Sequence, residues 1–67
     1  MKKNSFERSL AAHVRLFYKH EKNKDNERSR RLMNYHRVVH DKQLSRGRIL
    51  SAGEKRSIYK GYFPKSK

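Results

Sequence analysis

Apolar residues never run for long in this chain: the longest uninterrupted stretches are three residues, as in Leu16-Phe17-Tyr18. A bilayer-spanning helix needs about 20 apolar residues in succession, so no segment here can serve as one. Strand-like alternation is equally short and never exceeds four residues. What remains is apolar residues recurring at helical intervals among charged ones, which is the signal of amphipathic helices. The chain therefore predicts an all-α fold. It reads as one small, compact three-helix domain over residues 1–67, with helices at about 5–20, 27–44 and 52–61 and a disordered basic C-terminal tail at 64–67.

In the first segment Phe6, Leu10, Val14 and Phe17 fall on one helical face, with His13 inside the stripe. Arg8, Ala11, Arg15, Lys19 and Lys22 form the opposite face. Asn4 or Ser5 can cap this helix, and Glu7 sits in the first turn, where the helix dipole favours an acid. The wholly polar run from His20 to Asn26 reads as a connection, with Asp25 or Asn26 available to cap the second helix. Leu32, Tyr35 and Val39 mark the apolar side of that helix, and Gly47 suits the left-handed position past its end. Ile49 and Leu50 are then expected to return to the core. Ser51-Ala52-Gly53-Glu54 has the form of a capping box, and Ile58, Tyr59 and Tyr62 supply the inner side of the third helix. A left-handed cap is expected at Gly61, ahead of Pro64, which cannot continue a helix.

A third of the residues are hydrophobic, and there is no Trp, so the core must be small and the fold marginal. Dimerisation or the partner itself could add the missing stability, and a homodimer is one expectation. Cysteine is absent, which removes disulfides, thiolate zinc sites and cysteine catalysis together. The basic start Met1-Lys2-Lys3 resembles the opening of a signal peptide, but no apolar segment comes after it. The expected location is the cytoplasm, with nucleoid or ribosome association.

Charge points to function. Nineteen Lys or Arg stand against six Asp or Glu, giving a formal net charge of +13 and a pI near 10.7. Self-repulsion of that size opposes compaction, and the commonest use for it is a polyanion, nucleic acid above all. Arg30, Asn34 and Arg37 are spaced to share the helix face opposite Leu32 and Val39. Arg can read guanine and Asn adenine in a major groove wide enough for a helix, while Arg28 and Arg31 flank the set within reach of phosphates. Arg46 and Arg48 around Gly47 form a second basic set, in a turn that lets the chain approach a phosphate closely. Lys55 and Arg56 extend the positive surface onto the third helix. Most of the seven Phe and Tyr residues fall on core stripes, but Tyr18 lies at the edge of its stripe and is the candidate for stacking on an unpaired base.

The four histidines invite a metal-ligand reading. His36 and His40 have a spacing at which two imidazoles can share a zinc ion, but a structural site wants four ligands. No metal and no other cofactor is expected, and the histidines read as surface or core-edge residues whose protonation below about pH 6.5 would strengthen nucleic-acid binding. No nucleophile, base and oxyanion-donor constellation is present in the sequence, so no enzymatic activity is expected.

Three function classes fit these features. The favoured one is a DNA-binding regulatory or accessory factor using the 27–44 helix, because the Arg30/Asn34/Arg37 triplet tilts the balance towards DNA. An RNA- or ribosome-associated protein is the first alternative, since dispersed charge and a marginal fold suit folded RNA. The second is an adaptor or inhibitor that docks an acidic protein surface or joins a larger assembly. A membrane-surface peptide is disfavoured because the apolar stripes are narrow and lack Trp.

Overall fold

The computed structural model describes residues 4–64, and in it three helices are each opened by a short polar side chain. Helix α1 spans Ser5–Glu21, α2 Glu27–Arg46 and α3 Ala52–Tyr62. Asn4 caps α1 by accepting from the Glu7 amide at 2.8 Å. Asn26, rather than Asp25, caps α2 and accepts from the amides of Arg28 and Ser29 at 2.9 and 3.2 Å. Ser51 opens α3 with both bonds of the capping box: its hydroxyl accepts from the Glu54 amide at 3.2 Å, and Glu54 accepts from the Ser51 amide at 2.8 Å. These side chains satisfy amides that a helix start leaves without partners.

The ends of the helices take two different routes. Gly47 closes α2 in the left-handed region (φ 69°), and its amide donates to the Gln43 carbonyl at 2.8 Å. A side chain there would be strained, so the glycine is required by the backbone. Gly61 departs from expectation: it is an ordinary helical residue, and α3 runs on to Tyr62. Phe63 and Pro64 end that helix, since proline restricts the residue before it to non-helical conformations. The expected tail at Lys65-Ser66-Lys67 lies outside the described residues.

The result is a compact three-helix domain with α2 at its centre. Residues 22–26 turn the chain so that α1 and α2 form an antiparallel hairpin, and α3 packs on a second side of α2 without approaching α1 through its backbone. The molecule measures 43 × 27 × 15 Å. Its thinnest dimension is little more than the ~10–12 Å width of one helix with its side chains, so few positions are covered on all sides.

Fully buried positions are accordingly few: Val39 and Gln43 have no exposure, and Leu50 and His13 have almost none. Val39 and Leu50 meet the sequence expectation, whereas Ile49 stays largely exposed. Val14 also departs from its predicted place, because the face of α1 turned to α2 is centred on His13 and Val14 lies at its margin. Gln43 explains how a polar residue can hold the centre. Its amide donates to the Ser9 hydroxyl at 3.1 Å, and its carbonyl accepts from the buried Leu50 amide at 3.3 Å. One side chain thereby ties α1, α2 and the connection to α3. Among the described residues no buried side-chain nitrogen or oxygen lacks a partner.

Candidate nucleic-acid interface

Because α1 and α3 occupy two sides of α2, a third side of the central helix remains open. Arg30 and Arg37 are exposed there, and Asn34, between them in sequence, is half-buried. Arg30 donates to the Lys24 carbonyl at 2.9 Å, which folds its side chain back over the α1–α2 connection. Arg37 stands 4.0 Å from the Asp41 carboxylate one turn on, too far for a hydrogen bond, so its donors stay available. The same carboxylate places a negative charge within the arginine face and opposes phosphate there.

Arg28 and Arg31 are turned towards the end of α3. Their guanidinium groups lie 5.8 and 5.9 Å from the centre of the Phe63 ring, within cation–π range. Arg31 is also ion-paired with Glu27 one turn earlier. This grouping makes the pair a docking contact for the C-terminal end of α3 as well as a source of surface charge.

Arg46 and Arg48 converge on one carboxylate. Arg48 binds Glu54 through both guanidinium nitrogens, at 2.9 Å each, and Arg46 binds the same group. Glu54 is the capping-box acid, so the clasp joins the end of α2 to the start of α3. The Arg48 hydrogen bonds, and after them the Ser51 amide, hold the Glu54 carboxyl well below the usual carboxylate range. Two guanidinium groups to one carboxylate leave the clasp one net positive charge. Arg56 is exposed on α3, whereas Lys55 is half-buried and its charge acts on the histidines between α1 and α2.

All four histidines cluster along the α1–α2 interface, which the sequence spacing did not foretell. The Nδ1 atoms of His13 and His36 are 3.0 Å apart, so one ring must donate to the other. His20 stacks on His36 with ring centres 5.7 Å apart and planes nearly parallel. The i, i+4 pair His36 and His40 is thus divided: His36 joins α1, and His40 lies 3.6 Å from Asp41. Among the described residues no group of three or more His, Asp or Glu is arranged to hold a metal ion.

Charge on the bonded pair His13 and His36 is disfavoured. Burial, then the neighbouring His13, His20 and Lys55, push His36 down to about 4. Burial, then Lys55 and His40, lower His13 as well. His36 therefore stays neutral through the pH range in which protonation is expected, from the sequence, to strengthen nucleic-acid binding. The expectation fails for this residue because its site is partly buried and two imidazoles and the Lys55 ammonium lie beside it.

Aromatic contacts connect the three helices. Phe63 stacks on Tyr59 at 4.6 Å, Tyr59 meets Tyr35 edge-on at 5.5 Å, and Tyr35 meets His36 at 5.0 Å. Tyr18 stands apart from this row and is 56% exposed, its ring braced edge-on by Phe17 at 5.3 Å. Tyr18 and Arg37, singled out in the sequence for different reasons, line the same cleft between α1 and α2.

No protein-family model, curated protein or solved structure matches this chain. No helix among the described residues is long and apolar enough to cross a membrane.

Proposed function

We propose that this protein binds nucleic acid, with the open side of α2 and the outer face of α1 meeting the phosphate backbone. The observation that carries this reading is an excess of exposed cations that the few carboxylates do not neutralise. Arg8, Arg15, Lys19 and Lys22 on and just past α1 and Arg30 on α2 are exposed and have no carboxylate partner among the described residues. Cations so placed release counterions from a polyanion, and that release drives sequence-independent binding. The protein acts in this reading as a binding module without catalysis of its own.

DNA remains the first target to test, because Arg30, Asn34 and Arg37 share one side of α2 and carry groups able to read base edges. Asp41 in the same face and the partial burial of Asn34 weaken base reading and favour contacts to the backbone. A second reading, RNA or another nucleic acid with unpaired bases, is favoured by the cleft that joins Tyr18 to Arg37.

The test is a fluorescence-anisotropy titration with duplex DNA, structured RNA and an acidic protein at two salt concentrations. Arg30→Ala/Arg37→Ala is expected to weaken nucleic-acid binding and to flatten its salt dependence by about one unit of slope for each phosphate no longer neutralised. An unchanged affinity and slope would remove α2 as the contacting element. Binding to the acidic protein alone at physiological salt would overturn the nucleic-acid reading in favour of an adaptor or inhibitor.

A further inference from the structure

The cleft between α1 and α2 combines features seldom found together on so cationic a surface. It has a volume of about 200 Å³ and lies open to solvent, with Val14, Phe17 and Tyr18 on its α1 side and His36, Arg37 and His40 on its α2 side. Its walls are mostly apolar or aromatic, yet the Arg37 guanidinium, in a long 4.0 Å ion pair with Asp41, stands at its margin. An occupant that fits needs a flat apolar face and a negative charge a short distance away. A single nucleotide has both.

We infer that this cleft is a binding site for one unpaired nucleotide of a single-stranded nucleic acid, with the base against Tyr18 and the phosphate at Arg37. The inference rests on the nucleic-acid reading above and adds to it a defined subsite. Tyr18 is the most exposed of the large hydrophobic side chains, and its ring meets that of Phe17 edge-on at 5.3 Å. A ring held in place yet open to solvent stacks on a base with little ordering cost. Val14, 37% exposed, adds apolar surface beside it. The Arg37 guanidinium makes only a long, exposed ion pair of 4.0 Å with Asp41, so it retains donors for phosphate oxygens although the carboxylate weakens their pull.

His13 and His36 also line the cleft, and because burial disfavours their charged forms they add little charge to it. Apolar walls beside a cationic margin sort the two halves of a nucleotide: the base lies inward and the phosphate stays at the rim. Duplex DNA cannot use such a site unless a base leaves the stack, which is unfavourable for a paired base. The cleft therefore selects for single strands and loops.

Three probes separate base binding from charge: a single-stranded homopyrimidine oligonucleotide, the same length of duplex, and inorganic polyphosphate, which has charge but no bases. Tyr18→Ala is expected to weaken oligonucleotide binding about tenfold while leaving its salt slope and polyphosphate binding unchanged. Tyr18→Phe, which keeps the ring, is expected to bind like the unaltered chain. Circular dichroism of each variant checks the fold, and substitution at this exposed position is expected to leave it intact. If Tyr18→Ala binds the oligonucleotide as tightly as the unaltered chain does, the cleft is not a base site, although the nucleic-acid reading stands. Equal losses for oligonucleotide and polyphosphate would also overturn the inference, because the effect would then not depend on a base. If the unaltered chain binds neither oligonucleotide nor duplex at physiological salt, the functional reading itself fails and takes the subsite with it.

Discussion

The hydrogen bonds on the two sides of α2 are of opposite kinds. On the α3 side, the capping box, the Arg46–Glu54–Arg48 clasp and the Gly47 turn all join residues close in sequence, and most of their groups remain exposed. On the α1 side, Gln43 meets Ser9 across 34 residues and His13 meets His36 across 23, and those groups are partly or wholly covered. Local exposed contacts are each worth little, because water competes for the same groups. Distant buried polar contacts require the whole hairpin to close, and losing one partner leaves the other unsatisfied in the interior. The α1–α2 side should therefore respond sharply to single changes and to pH, and the α3 side only mildly.

The largest expected effect comes from breaking the buried contact. Gln43→Ala strips the Leu50 amide and the Ser9 hydroxyl of their partner and leaves a void, for a loss of about 3 kcal/mol in urea unfolding. A midpoint that stays put would show that Gln43 does not hold the hairpin, and the contrast between the two sides would disappear.

Acidification acts on the same side with a smaller effect. His36 is held neutral in the fold down to about 4, while in the unfolded chain it titrates near the ordinary histidine value of 6.5. Between these two values the unfolded state binds the extra proton, so stability is fully present above pH ~6.5 and is lost as pH falls towards ~4. His36 faces His13 and His20 of α1 and Lys55 of α3, so a charge on its ring meets the Lys55 ammonium and two further imidazoles in a partly buried site. His13 is lowered in the same direction and shares in the effect. With allowance for solvent screening at a partly exposed site, the expected loss is about 1–2 kcal/mol. Urea midpoints measured at pH 7, 5.5 and 4 check the direction. His36→Phe, which keeps an aromatic ring but cannot protonate, should flatten the dependence; an equally steep profile would assign the proton uptake elsewhere.

The mildest change is on the α3 side. Ser51→Ala removes one half of the capping box and should lower stability by about 1 kcal/mol, with little dependence on pH between 7 and 4. A thermal unfolding curve identical to that of the unaltered chain would remove the capping box from the contacts that matter. A loss as large as that of Gln43→Ala would erase the distinction between the two sides.

The elements legible in the sequence are those fixed within a turn or two of the chain. The three helices, the Asn and Ser caps, the capping box and the Gly47 turn each depend on side chains or amides reaching backbone groups only a few residues away. Val39 could be placed by periodicity, because an apolar residue on a helical stripe has few places to go, whereas Ile49 and Leu50 lie between α2 and α3, where no periodicity tells which of the two turns inward. Gly61 misled because the same Gly-then-Pro pattern can end a helix in two ways, and the restriction imposed by Pro64 governs here. Val14 misled because the stripe from Phe6 to Phe17 reads as centred on its apolar members, whereas His13, which lies within it, holds the inner face once partnered by His36 and leaves Val14 at the margin.

Much of the candidate site was visible only in part. The residue types and the exposure of Arg30, Arg37 and Tyr18 could be anticipated from charge and helical spacing. That Arg28 and Arg31 would approach Phe63, and that Arg46 and Arg48 would share Glu54, depended on where α3 came to lie. The joining of Tyr18 to Arg37 in one cleft needed the hairpin register, which no spacing within either helix encodes.

By itself, then, the sequence determined the helices, their polar starts and the cationic character of the surface, since these arise from local hydrogen bonding and from composition. Only the tertiary structure decided that Gln43 would fill the centre, that four separated histidines would meet around a neutral pair, and that an exposed tyrosine would face an arginine across a cleft. The physical reason is that these contacts join residues far apart in the chain, and their energies exist only after α1 closes on α2 and removes water from between them.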